Sequence, residues 1–390
     1  MPRFPKIAER TNHITGSVFE KFRSKVEAHG SDLVNLHIGD AYAPPPYAIP
    51  IDPRFMKMYP RFNRYTDTFG VYELREALAT KLQTENQLDA RPTNIMMTAG
   101  ACNALNVSVQ TLVDPGEDVL LLSPYWPFFR GMVGLAGGRV IEVPFYTRLY
   151  EEPDLDIAAY LEGYLTAKTV ALYANTPNNP SGKVLNKRQL RQIADFARQN
   201  RLWIISDEAY DGMTFDDHVH LSIGSLPEMF EQTLSIFTFS KVYMFSGLRL
   251  GYVVTTDALL KNLNKIMVHQ LYSPATVAQQ MMVEPVKTRS LWSTRFVEHF
   301  WEIRDMFVAN LKISLQVPEG TYYLFFSIEE HLRGREYWQV IDECLQAGVT
   351  VAPGEDFGKD YAQWIRICFA GEPPDRVELA VQRLNRIFPP

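Results

Sequence analysis

Six short apolar runs, separated by stretches with helical spacing, constrain this chain more than any other feature. They are IMMT (95–98), VLLLS (119–123), TVALY (169–173), LWIIS (202–206), LSIFTFS (234–240) and LGYVV (250–254). None shows the polar alternation of a strand with one wet face, so each is expected to be buried on both faces. Leu74, Ala77, Leu78 and Leu82 recur at helical spacing, as do Leu190, Ile193, Ala194 and Ala197. A further helix follows IMMT and ends before DPGED, and another contains Trp126 to Leu135. Strands and helices in this alternation predict an α/β fold, with a mostly parallel central sheet covered by helices on both faces.

The texture changes near residue 285. A long amphipathic stretch (Leu291 to Leu311) precedes GTYYLFFSI, a helix over 336–346, GVTVA, QWIRICF and a last helix from Arg376 to Phe388. More helix and fewer strands predict a smaller α+β domain over 286–390, beside a large domain over 49–285. The N-terminal segment 1–48 is expected to contribute to the small domain and the substrate site. Its Pro-rich end, HIGDAYAPPPYAIPIDP, reads as extended, because each proline biases its predecessor away from helix.

A chain of 390 residues buries enough surface to need no metal or disulfide staple. Its net charge of −6 argues against a dedicated nucleic-acid binder. Cys102, Cys344 and Cys368 form no CxxC pair, and an odd count cannot pair fully, which suits the reducing cytoplasm. The start, Met1-Pro-Arg-Phe-Pro-Lys, has no apolar signal-peptide core, and no run is long enough to span a membrane. A soluble cytoplasmic protein is expected.

In open parallel sheets, ligands bind beyond the carboxyl ends of the strands. There the sequence places Gly100-Ala101-Cys102, Pro124-Tyr125-Trp126, Asn175 to Gly182, Asp207 to Tyr210, and Lys241 with Arg249 eight residues on. Small residues opening a helix let backbone N–H groups approach a phosphate, to which Arg249 can add a guanidinium and Thr238 a hydroxyl. A buried Asp207 suits a protonated pyridine nitrogen, Trp126 an aromatic ring, and Tyr210 and Asn179 a ring hydroxyl. Lys241 with a depressed pKa can form a Schiff base with an aldehyde. A phosphorylated hydroxypyridine aldehyde is pyridoxal phosphate.

Other features read more plainly. Cys102 falls in the phosphate turn, where its backbone N–H matters rather than its thiol. His218 and His220 lack a third ligand and read as a surface loop, with no metal site. His37, beside Gly39, reads equally as a substrate neighbour or a packed core residue. No GxxxxGK[ST], HExxH or GxGxxG is present.

NTPNNPSG, SDEAY and FSKVYMFSGLRLGY stand in the order and spacing of the class I/II aminotransferases. IGDAYAPPP, RYTDTFGVYELREAL, GTYYLFF, PGEDFG and WIRICFA extend the likeness over nearly the whole chain. The sequence therefore resembles the fold-type I, pyridoxal-phosphate-dependent enzymes of the aspartate aminotransferase superfamily. The resemblance implies that Lys241 carries the cofactor as a Schiff base and shuttles the substrate α-proton. Asp207 would hold the pyridine nitrogen, and Tyr210 and Asn179 the ring oxygen. Gly100, Ala101, Cys102, Thr238, Ser240 and Arg249 would cradle the phosphate, and Tyr65 would reach the phosphate of a second subunit in a homodimer. Arg366 would clamp the substrate α-carboxylate, helped by Gly39 and Asn175.

Ala101, Leu248, Val242 and Ala41 stand where the family often has Gly, Trp, Thr or Ser, and Pro, which marks a divergent branch. The expected reaction is ping-pong transfer of an amino group from an L-amino acid to a 2-oxo acid. A lyase, cyclase or oxidase could use the same cofactor groups, and a non-catalytic descendant would be expected to lose Lys241 first. Tyr42, Tyr47, Trp126 and Tyr272 suggest an aromatic side-chain pocket, hence an aromatic or medium-sized apolar donor. No further cation is evident for a dicarboxylic substrate.

Overall fold

The computed structural model describes residues 5–14, 26–27, 32–47, 49 and 53–389. The first four residues, and 48 and 50–52 of the Pro-rich run expected to be extended, lie outside them.

Strand β1 (Val34–Asn35) precedes helix α1 (Tyr72–Glu85), whose buried face carries the Leu74, Ala77, Leu78 and Leu82 stripe. Then come β2 (Ile95–Thr98), α2 (Gly100–Leu112), β3 (Asp118–Ser123), α3 (Phe128–Leu135), β4 (Arg139–Pro144) and β5 (Thr169–Asn175). Next are α4 (Lys187–Gln199), β6 (Trp203–Asp207), β7 (Thr233–Thr238), β8 (Gly251–Val254) and α5 (Asp257–Gln270). Helix α4 begins in a reciprocal cap: Asn186 Oδ1 accepts from the Gln189 N–H at 3.0 Å, and Gln189 Oε1 accepts from the Asn186 N–H at 3.1 Å.

These strands form one sheet of seven in the order β2-β8-β7-β6-β5-β3-β4. Only β8 runs against the rest, antiparallel to both β2 and β7. The apolar runs are buried on both faces as their lack of alternation requires. Leu120, Leu122, Leu172 and Ile204 pack into a core on one side, and Val119, Leu121, Tyr173 and Ile205 into a core on the other. Truncating one such Leu to Ala costs about 2–5 kcal/mol.

Two expectations need correction. Strand β4 was not visible as an apolar run, because this edge strand is only partly buried and carries Arg139 and Glu142. Trp126 lies before α3 rather than in it, because Pro127 follows and disfavours helical geometry at its predecessor.

Further along the chain lie α6 (Ser293–Asn310), β9 (Tyr323–Ser327), α7 (Tyr337–Gln346), β10 (Val349–Thr350), β11 (Ala352–Pro353), β12 (Trp364–Cys368) and α8 (Pro374–Ile387). Proline opens α8 at the position where its missing N–H has no helical partner to lose. The strands β11-β12-β9 form an antiparallel sheet, and β1 pairs in parallel with β10 through Val34 and Val349. Val34 and Leu36 share an apolar core with Phe296, Phe300, Ile367 and Leu384, whereas Met282, Val283 and Val286 pack against α1. No helix among the described residues is long and apolar enough to cross a membrane.

Candidate active site

Parallel strands deliver their carboxyl ends to one edge of the sheet. Register places Asn175 of β5 beside Asp207 of β6, and Gly251 between Thr98 of β2 and Thr238 of β7. The edge opens into a cavity of about 320 Å³, closed from the other side by His37, Gly39 and Asp40, and by Tyr323 and Arg366 of the small antiparallel sheet.

Lys241 and Asp207 both line the cavity, and enclosure moves them in opposite senses. Lys241 Nζ donates to the Gly39 carbonyl at 2.6 Å. Burial, aided by Arg366 and Arg249, lowers its pKa to about 8, although Cys368 and Asp40 act the other way. Asp207 is 5% exposed; its Oδ2 accepts from the Tyr173 hydroxyl at 2.7 Å and its Oδ1 from the Ala209 N–H at 3.2 Å. Burial raises its pKa to about 6 against these bonds. No ion pair reaches this carboxylate among the described residues, so it is built to receive a cation. The Tyr210 hydroxyl lies 2.7 Å from that of Tyr323, and burial holds its pKa well above the ordinary phenol value.

Helix α2 opens at this edge with no side-chain cap on its first turn. Its Ala101 and Cys102 line the cavity together with Thr238, Ser240 and Arg249. Gly251 lets the chain close up here: a Cβ on it would stand 2.7 Å from the Gly100 carbonyl carbon and 2.8 Å from the Ala101 nitrogen. Gly100 itself (φ +80°) has Arg249 Nη2 3.2 Å from where a Cβ would lie. Uncapped N–H groups, the helix dipole, hydroxyls and a guanidinium together make an anion cradle.

Arg366 does not face water from an edge strand. It sits on β12, central in its sheet, and is 5% exposed. Its Nη2 donates to the His37 carbonyl at 2.7 Å and its Nη1 to Asn179 Oδ1 at 3.1 Å, while its buried Nε has no hydrogen-bond partner among the described residues. The rings of Tyr323 and Phe357 flank the guanidinium carbon at 4.5 and 4.9 Å. A buried guanidinium with an open N–H is suited to a carboxylate.

The family described as "Aminotransferase class I and II" matches residues 31–384. The chain is 31% identical over 381 residues to an aspartate aminotransferase of Pyrococcus abyssi, covering 93% of each. It is 32% identical over 334 residues to aromatic-amino-acid aminotransferase 2 of Thermococcus litoralis, covering 84% of each. A solved Thermus thermophilus aspartate aminotransferase, a single mutant, superposes with a TM-score of 0.86 at 28% identity, over 98% of this chain and all of that one. The chain belongs to the class I and II aminotransferase family. It is an aminotransferase with the α/β fold of type I.

The aminotransferase cavity gathers Gly39, Ala101, Cys102, Trp126, Asn175, Asn179, Asp207, Tyr210, Thr238, Ser240, Lys241, Arg249 and Arg366. Gly100 stands just behind them against Arg249. Tyr65 does not line the cavity of its own chain; it is 85% exposed and meets Tyr272 edge to face at 5.2 Å. Of the four aromatics expected in a side-chain pocket, only Trp126 lines the cavity. Tyr42 instead lies 2.7 Å from His299 Nε2. Asn179 bonds Arg366, and the Asn175 side chain donates to the Asp207 carbonyl at 2.9 Å and accepts from the Asn179 N–H at 2.7 Å.

His220 is not on a surface loop. It is buried with Nε2 2.9 Å from Glu208 Oε2, and neither residue lines the cavity. His37 is both buried and in the cavity wall, 2.7 Å from Thr350 Oγ1, and burial beside Arg366 lowers its pKa to about 4, so its imidazole is neutral at pH 7.

Four residues escaped sequence reasoning: Tyr173, Asp40, Tyr323 and Phe357. Tyr173 sits inside an apolar strand and gives no local sign of its bond to Asp207. Tyr323 and Phe357 stand in GTYYLFF and PGEDFG, where a doubled aromatic and a Gly-bounded setting are the available signals.

Proposed function

We propose that this aminotransferase works with pyridoxal 5′-phosphate and transfers an amino group from an L-amino acid to a 2-oxo acid in a ping-pong cycle. The observation that carries this reading is the opposed tuning of Lys241 and Asp207 in one cavity, between an uncapped helix N-terminus and a buried arginine. The donor set fits the group. Asp207 offers a buried carboxylate to the ring nitrogen and Tyr210 a phenol to the ring oxygen. The first turn of α2, with Thr238, Ser240 and Arg249, offers donors to the phosphate, and Trp126 offers an aromatic face.

When bound, the cofactor supplies the electron sink for the bonds at the substrate α-carbon. The chain's residues do the rest. Lys241 Nζ, about half of it neutral at pH 8, would hold the cofactor's aldehyde carbon and, once released, would carry the substrate α-proton. Asp207 would keep a proton on the ring nitrogen by charge pairing. Arg366 Nε and its neighbouring N–H groups orient the α-carboxylate.

The cavity's cations among the described residues are Lys241, Arg249 and Arg366, each already given a task, and the remaining wall includes Ile38, Leu105, Phe128 and Phe357. This supports a donor with an aromatic or medium-sized apolar side chain. The exposed Tyr65, which does not line the cavity of its own chain, supports a homodimer in which it serves the partner's phosphate. The same reading divides the chain into a cofactor domain (49–285) and a small domain (286–390) joined by the N-terminal segment (1–48). The packing of Phe296 with Val34 supports that division, whereas Val286 packs on α1 and sides with the cofactor domain. The three free thiols support a cytoplasmic setting.

The test is a half-reaction screen. Phenylalanine, leucine and aspartate are each added to the loaded enzyme while the cofactor spectrum is followed. Conversion by aspartate alone would refute the apolar assignment, and no conversion by any amino acid would refute the cofactor's role.

A further inference from the structure

We infer that Tyr323 is a positioning residue that couples the two halves of the site, the phenol of Tyr210 and the guanidinium of Arg366. The inference rests on the cofactor reading above. Tyr323 opens β9, is 1% exposed and lines the cavity. Its two ends do different work. The hydroxyl lies 2.7 Å from the Tyr210 hydroxyl, with the rings crossed at 78°. The ring face lies 4.5 Å from the Arg366 guanidinium carbon, and Phe357 flanks the same group at 4.9 Å.

The backbone is shaped around this residue. A Cβ at Gly39 would overlap the Tyr323 hydroxyl, so glycine there gives the phenol its room. The same Gly39 presents its carbonyl to Lys241 Nζ at 2.6 Å. One side chain thus touches the groups assigned to the ring oxygen and the substrate carboxylate, and abuts the glycine that holds the lysine amine.

The direction of the hydrogen bond follows from the task. For Tyr210 to donate to the ring oxygen, its own oxygen must accept, and Tyr323 is the donor 2.7 Å away. A phenol whose oxygen accepts a hydrogen bond is a stronger donor through its proton. The Tyr323 ring, with Phe357, confines the guanidinium between two aromatic faces, which favours a cation and fixes its plane. The hydroxyl therefore acts on the cofactor side and the ring on the substrate side.

The two roles separate by substitution in the holoenzyme. Tyr323→Phe keeps the ring and removes one neutral hydrogen bond, equivalent to about a three- to tenfold change in an equilibrium. It should weaken pyridoxal phosphate binding by about that factor and raise the pH midpoint of the bound cofactor's absorbance by about half a unit to one unit. The KM for the amino acid should stay within about twofold of its original value. Tyr210→Phe should raise the midpoint further, and Tyr323→Phe should add nothing on top of it. Tyr323→Leu should raise the KM about three- to tenfold through the lost ring, with a smaller change for the decarboxylated analogue of the same amino acid.

An unchanged midpoint and cofactor affinity in Tyr323→Phe would overturn the inference, as would a shift that adds in full to that of Tyr210→Phe. If Tyr210→Phe itself leaves the midpoint in place, the assignment of Tyr210 to the ring oxygen fails, and this inference fails with it. If Tyr323→Leu does not fold, the Phe variant, which keeps every ring atom, still decides the hydroxyl's role.

Discussion

Asp207→Asn should stabilise this protein without its cofactor and destabilise it with the cofactor. Burial raises the carboxyl from its ordinary 3.8 to about 6, so between those values the folded chain binds more protons than the unfolded one. Stability contributed by this group therefore falls as pH rises through that window and stays reduced above pH 6. Two pH units correspond to about 3 kcal/mol. Asparagine removes the charge and keeps the bond from the Ala209 N–H, but leaves the Tyr173 hydroxyl without its acceptor, which costs about 1 kcal/mol. A net gain of about 2 kcal/mol at pH 7.5, a few degrees in Tm, is expected for the cofactor-free form. In the loaded enzyme the carboxylate pairs with a buried cation, and removing one member of such a pair costs about 3–5 kcal/mol. Cofactor affinity should then fall by about a hundredfold or more. Thermal unfolding with and without saturating pyridoxal phosphate, together with a binding titration, reads both signs. Equal destabilisation of the two forms, or a cofactor affinity within threefold of the original, would refute the reasoning and leave Asp207 a structural residue.

Arg366→Ala should retain the cofactor but lose about 30- to several-thousand-fold in kcat/KM, from 2–5 kcal/mol for truncating one partner of a buried charge pair. Lysine should recover little of it. An equal fold-loss for an amino acid and its decarboxylated analogue would show that Arg366 does not act on the carboxylate. Lys241→Ala should abolish the borohydride-reducible link to the cofactor. The rate at which the wild-type chain gains that link should climb with pH and level off above about 8, because the neutral amine attacks; a pH-independent rate counts against the lowered pKa. Mixing Lys241→Ala with Tyr65→Ala chains should restore partial activity, since one site of each heterodimer keeps both residues, whereas Lys241→Ala with Arg249→Ala should not. Identical behaviour of the two mixtures removes the shared site, given that Tyr65→Ala alone is severely impaired.

Much of the site was legible because a parallel sheet converts chain order into position. Once the apolar runs are read as strands, whatever follows each run lies on one rim, and Asn175, Asp207, Thr238 and Lys241 do. The direction of β8 was not legible, since an apolar run looks the same either way. β4 was hidden because an edge strand with a wet side needs no apolar run. The aromatic set parts for another reason: Tyr42 and Tyr272 have His299 and Tyr65 as their neighbours in space, which no local pattern reveals. Contacts made across the sheet-to-sheet gap, such as Tyr323 with Tyr210, join residues more than a hundred positions apart and have no local pattern.

Three polar groups of the cavity share one property, which is that each is incomplete among the described residues. Asp207 is a buried carboxylate with no ion pair, Arg366 Nε a buried donor with no acceptor, and the first turn of α2 a helix end with no side-chain cap. Separately, each of these is unfavourable in a folded chain. Together they have a definite sign pattern, calling for a cation opposite Asp207 and anions opposite α2 and Arg366. Lys241, lowered to about 8 in the same cavity, is an amine suited to hold a ligand covalently rather than by charge. The enclosure that makes the lysine a usable nucleophile is the same enclosure that leaves the carboxylate short of a cation. A ligand bearing a ring cation and a phosphate, followed by an amino acid carboxylate, relieves all three, so the cost of building the site is returned as binding and orientation of the reactants.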